Sequence, residues 1–95
     1  MHMKISDIVR SVNGRDAGKM FFVIGLEGEY ALIADGKGRR LEKPKRKKAK
    51  HVSFVSGSDS RAAVKLRTGE RTTNSELRRA LAEFRSAGGG EEGGM

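Results

Sequence analysis

The first 56 residues alternate short apolar runs with turn-forming segments. Apolar and β-branched residues recur in runs that are too short for buried helices and are typical of strands. Glycine, asparagine and aspartate fill the segments between them, and Asp35-Gly36 is a strong hairpin signal. The pattern predicts five strands, at 7–12, 19–26, 30–35, 39–43 and 51–56. Five short strands separated by turns indicate a small barrel, which leaves no exposed sheet edge.

Two positions refine the last predicted strands. Pro44 cannot donate a ladder hydrogen bond, so it marks an edge or a loop. Val52 and Phe54 alternate with polar neighbours, which predicts a half-buried strand with these two side chains facing the core.

The remaining chain has helical patterning. Residues 58–69 begin with cap-type residues and end at Gly69, which predicts a short helix. Thr73 and Glu76 have the spacing of a capping box at the start of a second helix. Four apolar residues then form one stripe that can pack on the barrel, namely Leu77, Ala80, Leu81 and Phe84.

These patterns divide the chain into three parts. We predict a barrel over residues 1–56 and a helical extension over residues 57–87 that packs on it. Residues 88–95 lack the apolar content needed to fold, so we predict a disordered tail there.

Positive charge is concentrated in one stretch. The net charge is +8, and residues 37–51 alone hold nine basic residues and one acidic residue. Such a field attracts polyanions, nucleic acid first and anionic lipid second. The basic run, defined here as residues 43–50 (KPKRKKAK), lies between predicted strands rather than in a tail. We therefore expect its side chains to be exposed and to be held together beside a folded body.

Other classes of function find little support in the residues. The chain has no cysteine, and two histidines are too few for a metal site. Residues 14–19 (GRDAGK) lack the spacing and the Ser or Thr of a P-loop, so we expect Asp16 to bond its own backbone in a turn. No acid and base pair and no catalytic triad stand out. We expect no enzymatic activity and no cofactor.

The chain also shows no targeting segment. The N-terminal residues contain no apolar signal region, and no window approaches the roughly 18 apolar residues of a membrane span. We expect a monomeric, cytoplasmic protein that does not bind membranes.

Two interpretations of the basic run remain, a solvated loop that keeps the protein soluble and a surface that binds nucleic acid. A solvated, solubilising loop is the usual meaning of a short basic segment. Against it, Arg39 and Arg40 are predicted to lie across a hairpin from the run, and neighbouring lysines repel each other unless an anion is near. Most of the five aromatic residues are needed in the core, which disfavours a stacking platform for single strands. Contact with backbone phosphates favours structured RNA, or a duplex recognised by its shape.

A resemblance to a known family also favours RNA as the partner. Residues 7–36 (DIVRSVNGRDAGKMFFVIGLEGEYALIADG) resemble a KOW motif, whose G-x-D-x-G-[KR] turn is matched by Gly14, Asp16, Gly18 and Lys19. Residues 32–52 are similar to the basic continuation in KOW-type large-subunit ribosomal proteins of archaea and eukaryotes. The segment TGERTTNSELRRALAEF looks like the tail of small bacterial ribosomal-protein-like KOW proteins.

The resemblance implies an SH3-like barrel that binds RNA, typically rRNA, with the ribosome as a candidate partner. It also implies that the first turn approaches RNA, at Asn13, Gly14, Arg15, Asp16, Gly18 and Lys19. The basic segment adds the other candidate contacts, which are Lys37, Arg39, Arg40, Lys43, Lys45, Arg46, Lys47, Lys48 and Lys50. The alternative is a protein-interaction KOW module of a transcription or translation complex.

Overall fold

The structure, a computed structural model, describes residues 3–89. Five antiparallel strands come first: β1 Ile8–Ser11, β2 Met20–Glu27, β3 Tyr30–Ala34, β4 Lys45–Lys48 and β5 Val52–Ser56. A 3-10 helix, Ala49–His51, joins β4 to β5, and two helices follow, α1 Arg61–Thr68 and α2 Asn74–Ser86. The predicted class, a small β-rich domain with C-terminal helices, is confirmed.

The strand order forces the sheet to curl. The order is β4-β3-β2-β1-β5, so the strands at opposite edges are consecutive in the chain and are joined by residues 49–51 alone. A connection of this length spans at most about 14 Å even when fully extended. The edges of a flat five-stranded sheet would lie about 19 Å apart. The sheet therefore closes into a barrel-like body, compatible with an SH3-like barrel.

Each face of the sheet has its own apolar layer. The inner layer fills the curled sheet and consists of Val9, Phe21, Val23, Ala31, Ile33 and Val52. The outer layer lies between the sheet and the helices and contains Ile8, Met20, Phe22, Ala34, Ala62, Ala63, Leu77, Ala80 and Leu81. The continuous apolar sequence of β2 follows from this arrangement, because both faces of the strand are covered. The two helices thus pack on the outer face of the sheet.

Both helices have the caps that the sequence predicts. Ser60 caps α1 by accepting a hydrogen bond from the Ala63 amide, and Gly69 ends it in a left-handed conformation. Thr73 and Glu76 form the capping box of α2. Hydrogen bonds from Lys65 and from the Thr73 amide lower the pKa of Glu76. Their stabilising effect is present at neutral pH and is lost as the pH falls through this lowered pKa. No helix among residues 3–89 is long and apolar enough to cross a membrane.

The N-terminal end of α2 is anchored on the loop between β3 and β4, which we call the second loop (residues 35–44). The Asn74 side chain accepts a hydrogen bond from the Leu41 amide at 2.8 Å and donates one to Glu42 at 2.7 Å. Arg78 donates to the Gly36 carbonyl at 2.6 Å. These bonds fix the helix against the loop that precedes the basic run.

The C-terminal end of α2 differs in part from the prediction. Leu77, Ala80 and Leu81 are buried, but Phe84 is only partly buried at the edge of the outer layer. Gly88 and Gly89 form a turn whose amides donate to the Arg85 and Phe84 carbonyls. The rest of the predicted disordered tail, residues 90–95, lies outside the described residues.

The prediction of a strand at 39–43 is wrong. Residues 35–44 form a loop, and the partner of β3 is β4, within the basic run itself. The Asp35 carboxylate accepts hydrogen bonds from the amides of Lys37 and Arg39, both at 2.9 Å, so the loop closes on its own first residue. The low strand propensity of Lys45–Lys48 is overridden because β3 supplies the ladder, while the edge position leaves Arg46 exposed and the buried Lys47 finds an acceptor in the Asn13 carbonyl.

The prediction that Phe54 faces the core is also wrong. Val52 is buried, but Phe54 is 61% exposed. Strand β5 is an edge strand, and its pairing with β1 shifts so that Val55 is skipped and packs against the outer layer. A period of two predicts which residues share a face, but not how far that face is covered.

We expect Gly36→Ala to destabilise the fold. Gly36 has a φ of 80°, and an added Cβ would collide with the Asn74 carbonyl oxygen. The left-handed conformation and the displaced helix end together should lower the free energy of unfolding by at least about 2 kcal/mol.

The matched control is Gly38→Ala in the same loop, where an added Cβ has no atom within 4 Å. This variant should change stability by less than about 0.5 kcal/mol. Urea denaturation measures both, and equal effects would show that α2 is not anchored on Gly36.

Candidate nucleic-acid interface

Strand β4 places the middle of the basic run at an edge of the sheet. The strand pairs with β3 alone, and Lys47 lies opposite Ala31 of the inner layer. Because side chains alternate along a strand, Lys45 and Lys47 are directed to the inner face, and Arg46 and Lys48 to the outer face. The basic run is therefore divided between two faces rather than spread along one loop.

Lys47 contradicts the prediction that the whole run is exposed. It is only 9% exposed, and its ammonium donates a hydrogen bond to the Asn13 carbonyl oxygen at 2.8 Å. A buried ammonium requires such an acceptor. The contact ties β4 to the loop between β1 and β2, which we call the first loop (residues 12–19). Lys47 thus holds the barrel together and is not available to a phosphate.

Arg46 is oriented on the outer face by two neighbours. Its guanidinium carbon lies 3.8 Å from the centroid of the Tyr30 ring, and its Nε donates to Glu27 at 3.2 Å. The exposed ion pair contributes little to stability. The stacked guanidinium keeps its remaining N–H donors available for an anion.

Four lysines of the run have no side-chain hydrogen bond or ion pair among residues 3–89, namely Lys43, Lys45, Lys48 and Lys50. A concavity of about 450 Å³ is lined by two of them, Lys43 and Lys45. We call it the β4 concavity, and it is lined by Arg39, Arg40, Lys43, Pro44, Lys45 and Arg46. Most of the predicted basic contacts are therefore gathered at one edge of the barrel.

The two loops are joined by a salt bridge. Asp16 is 7% exposed, and its Oδ2 accepts hydrogen bonds from Nε and Nη2 of Arg39 at 3.2 and 2.9 Å. The sequence predicted a local backbone contact for Asp16, and this partner was missed because it lies 23 residues away. Asp16 positions Arg39, so its own part in binding an anion is indirect.

The other first-loop candidates are exposed. They are Asn13, Gly14, Arg15, Gly18 and Lys19. Gly14 lies against the Lys47 ammonium, so this end of the loop faces the inner side of β4. Lys19, at the other end, faces helix α2 across a second concavity. The structure therefore divides the predicted first-turn site between two surfaces.

The second concavity has a volume of about 600 Å³ and lies between the first loop, the second loop and α2. We call it the helix groove. Its cationic side chains are Arg10, Lys19, Lys37, Arg39, Arg78 and Arg85, and its carboxylates are Asp16 and Asp35. Arg39 lines both concavities, which makes the two basic surfaces continuous.

Sequence reasoning missed three cations of the helix groove, Arg10, Arg78 and Arg85. Arg78 and Arg85 lie seven residues apart on α2, a spacing that places both on one helix face. That spacing could have identified a basic face beside the apolar stripe. Arg10 had no such signal, because its position depends on how β1 is covered.

The side chains that line both concavities are mainly cationic. Among residues 3–89, no group of three or more His, Cys, Asp or Glu side chains could hold a metal ion. The chain matches no protein-family model, and a comparison with curated proteins finds no match. The surface must therefore be interpreted from its own residues.

We expect Lys47 and Lys45 to respond differently to the same substitution. Lys47→Met removes the hydrogen bond to Asn13 and should lower the free energy of unfolding by about 1–2 kcal/mol. Lys45→Met removes a cation that has no side-chain partner among the described residues, so its effect on stability should stay below about 0.5 kcal/mol. Thermal and urea denaturation measure both. Equal losses would mean that Lys47 does not close the barrel.

Proposed function

We propose that the protein binds structured RNA, rRNA or another RNA of the translation machinery, along the β4 concavity. The observation that carries this proposal is the set of four lysines in β4 and the adjoining segments that have no side-chain partner among residues 3–89. Two of them, Lys43 and Lys45, line the concavity. Lysines that are clustered beside a concave surface and left unpaired favour a polyanion, because its charge relieves their mutual repulsion.

A second explanation for the lysines is protection of the sheet edge. Exposed lysines on an edge strand prevent pairing with other chains. One or two charges are enough for this purpose, but residues 37–51 carry nine. The excess continues through the second loop, which is not a strand and needs no such protection. Phosphate binding accounts for both parts of the basic surface.

The fold is consistent with this proposal. A curled five-stranded sheet in which β5 pairs with β1 is compatible with an SH3-like barrel. The KOW resemblance of residues 7–36 implies the same barrel with RNA near its first turn. In this interpretation the first loop and β4 lie on the same side of the domain because Lys47 and Asn13 are in contact.

The distribution of cations sets the expected mode of recognition. Lysine ammonium groups contact phosphates and carry little base specificity, so backbone geometry is what the surface would recognise. Phe54 is exposed and could stack on a base, but it does not line the β4 concavity. A single aromatic residue does not form a platform for a single strand.

A protein-interaction module remains the second candidate. The specific observation in its favour is the exposure of Phe54, a large apolar side chain on an edge strand. The two candidates use different residues, so variants of the β4 lysines and of Phe54 separate them.

We expect binding to structured RNA to depend steeply on salt through the unpaired lysines. Each phosphate contact releases condensed counterions. Changing Lys43, Lys45, Lys48 and Lys50 together to Gln should reduce the magnitude of the slope of log K against log salt by about 3. Lys47 is left intact so that the fold is preserved. Fluorescence anisotropy with a labelled RNA hairpin at several salt concentrations measures the slope.

The matched control removes four exposed cations elsewhere, by changing Lys4, Arg61, Arg71 and Arg79 to Gln. Their side chains also have no partner among the described residues. Because both variants replace four cations by Gln, the change in net charge is the same. An equal loss of slope in both quadruple variants would indicate net charge rather than a site. An unchanged slope in the first variant would favour the protein-interaction module, which Phe54→Ser should then impair.

A further inference from the structure

The helix groove holds more positive charge than its own carboxylates balance. Leaving Arg10 aside, five cationic side chains line it against two carboxylates, namely Lys19, Lys37, Arg39, Arg78 and Arg85 against Asp16 and Asp35. Both carboxylates are already engaged, since Asp16 accepts from the Arg39 guanidinium and Asp35 accepts from two backbone amides of its loop. A concave surface of this kind is electrostatically unfavourable unless an anion occupies it.

Part of the groove wall is fixed and part is available to a ligand. Arg39 is held by Asp16, and Arg78 is held by the Gly36 carbonyl at 2.6 Å and by Ser75 at 3.0 Å. The side chains of Lys19, Lys37 and Arg85 make no hydrogen bond or ion pair among residues 3–89. Three donors therefore face a preformed cavity from three different segments of the chain.

The groove also has a small apolar side. Ala82 lines it as an exposed side chain, Met20 and Leu81 line it with little of their surface exposed, and glycines in both loops leave parts of the backbone uncovered. The volume of about 600 Å³ falls within the usual range for sites of small organic ligands. An apolar wall beside a cationic rim suits a molecule with one flat apolar part and one phosphate.

We propose that the helix groove binds a single nucleotide, with its phosphate on the cationic rim and its base against the apolar wall. The inference rests on the proposed function in one respect, because Gly38 and Arg39 line both concavities. An RNA backbone on the β4 concavity passes directly to the groove, which then takes one unpaired nucleotide. A free nucleoside monophosphate offers the same chemistry, and the experiment separates the two sources.

The first arm compares two RNA hairpins that differ by one bulged nucleotide. The wild-type protein should bind the bulged hairpin about tenfold more tightly, the value of roughly one charge-assisted hydrogen bond. The double variant Lys19→Gln, Arg85→Gln should lose this preference, so that its affinities for the bulged and the paired hairpin lie within about twofold of each other. A single Lys37→Gln variant should reduce the same preference independently.

The control double variant is Arg15→Gln, Arg79→Gln. It removes one cation from the first loop and one from α2, as the test variant does, but neither residue lines the groove. It should retain the preference for the bulged hairpin. Circular dichroism confirms that both double variants are folded.

The second arm titrates adenosine monophosphate into labelled protein and follows backbone amide shifts by NMR. Saturable shifts at Gly18 and Gly38 in the wild type, absent from the Lys19→Gln, Arg85→Gln variant, support the groove. If these shifts occur but neither hairpin binds, the ligand is a free nucleotide, so the groove stands and the RNA-binding function fails. If the hairpins bind equally well and the nucleotide causes no shifts at the groove, the groove inference is overturned and RNA binding stands.

Discussion

The shape of this domain depends on the three-residue connection at 49–51, because it joins strands at opposite edges of the sheet. The sheet must curl for β4 and β5 to be consecutive, and the curl creates the inner apolar layer. It also brings the inner face of β4 close to the first loop, where Lys47 bonds to the Asn13 carbonyl. One geometric constraint therefore determines the barrel, its core and the position of the basic run.

The same constraint explains why one lysine in the run differs from its neighbours. Alternation along β4 directs Lys47 into the curled sheet, where its ammonium must find an acceptor. The unpaired lysines lie beside it on the edge and in the adjoining segments. Structural and functional roles are thus separated by position within a sequence that looks uniform, and a substitution of the whole run would combine the two effects.

Helix α2 turns a barrel with one basic edge into a domain with two basic concavities. Its first turn is bonded to the second loop through Asn74, and Arg78 reaches back to Gly36. The helix thereby forms one wall of the helix groove, and Arg39 joins that groove to the β4 concavity. In the proposed function the helices do more than cover the outer layer, because they add a site that a bare barrel would lack.

Local features of the sequence determined a large part of this fold. The capping box at Thr73 and Glu76, the end of α1 at Gly69 and four of the five strands follow from short-range rules of hydrogen bonding and periodicity. The charge of residues 37–51 and the presence of a basic surface are equally properties of composition. These features need no knowledge of distant contacts, since each depends on residues a few positions apart.

Tertiary structure decided the rest. The strand predicted at 39–43 became a loop because β3 pairs with β4, and Phe54 stayed exposed because an edge strand is incompletely covered. The burial of Lys47 and the pairing of Asp16 with Arg39 join residues 34 and 23 positions apart. The helix groove brings together β1, two loops and α2, and no local pattern encodes that meeting. The sequence by itself determined which residues were basic and which segments were regular, whereas the closure of the barrel decided which cations were buried and which remained available to a ligand.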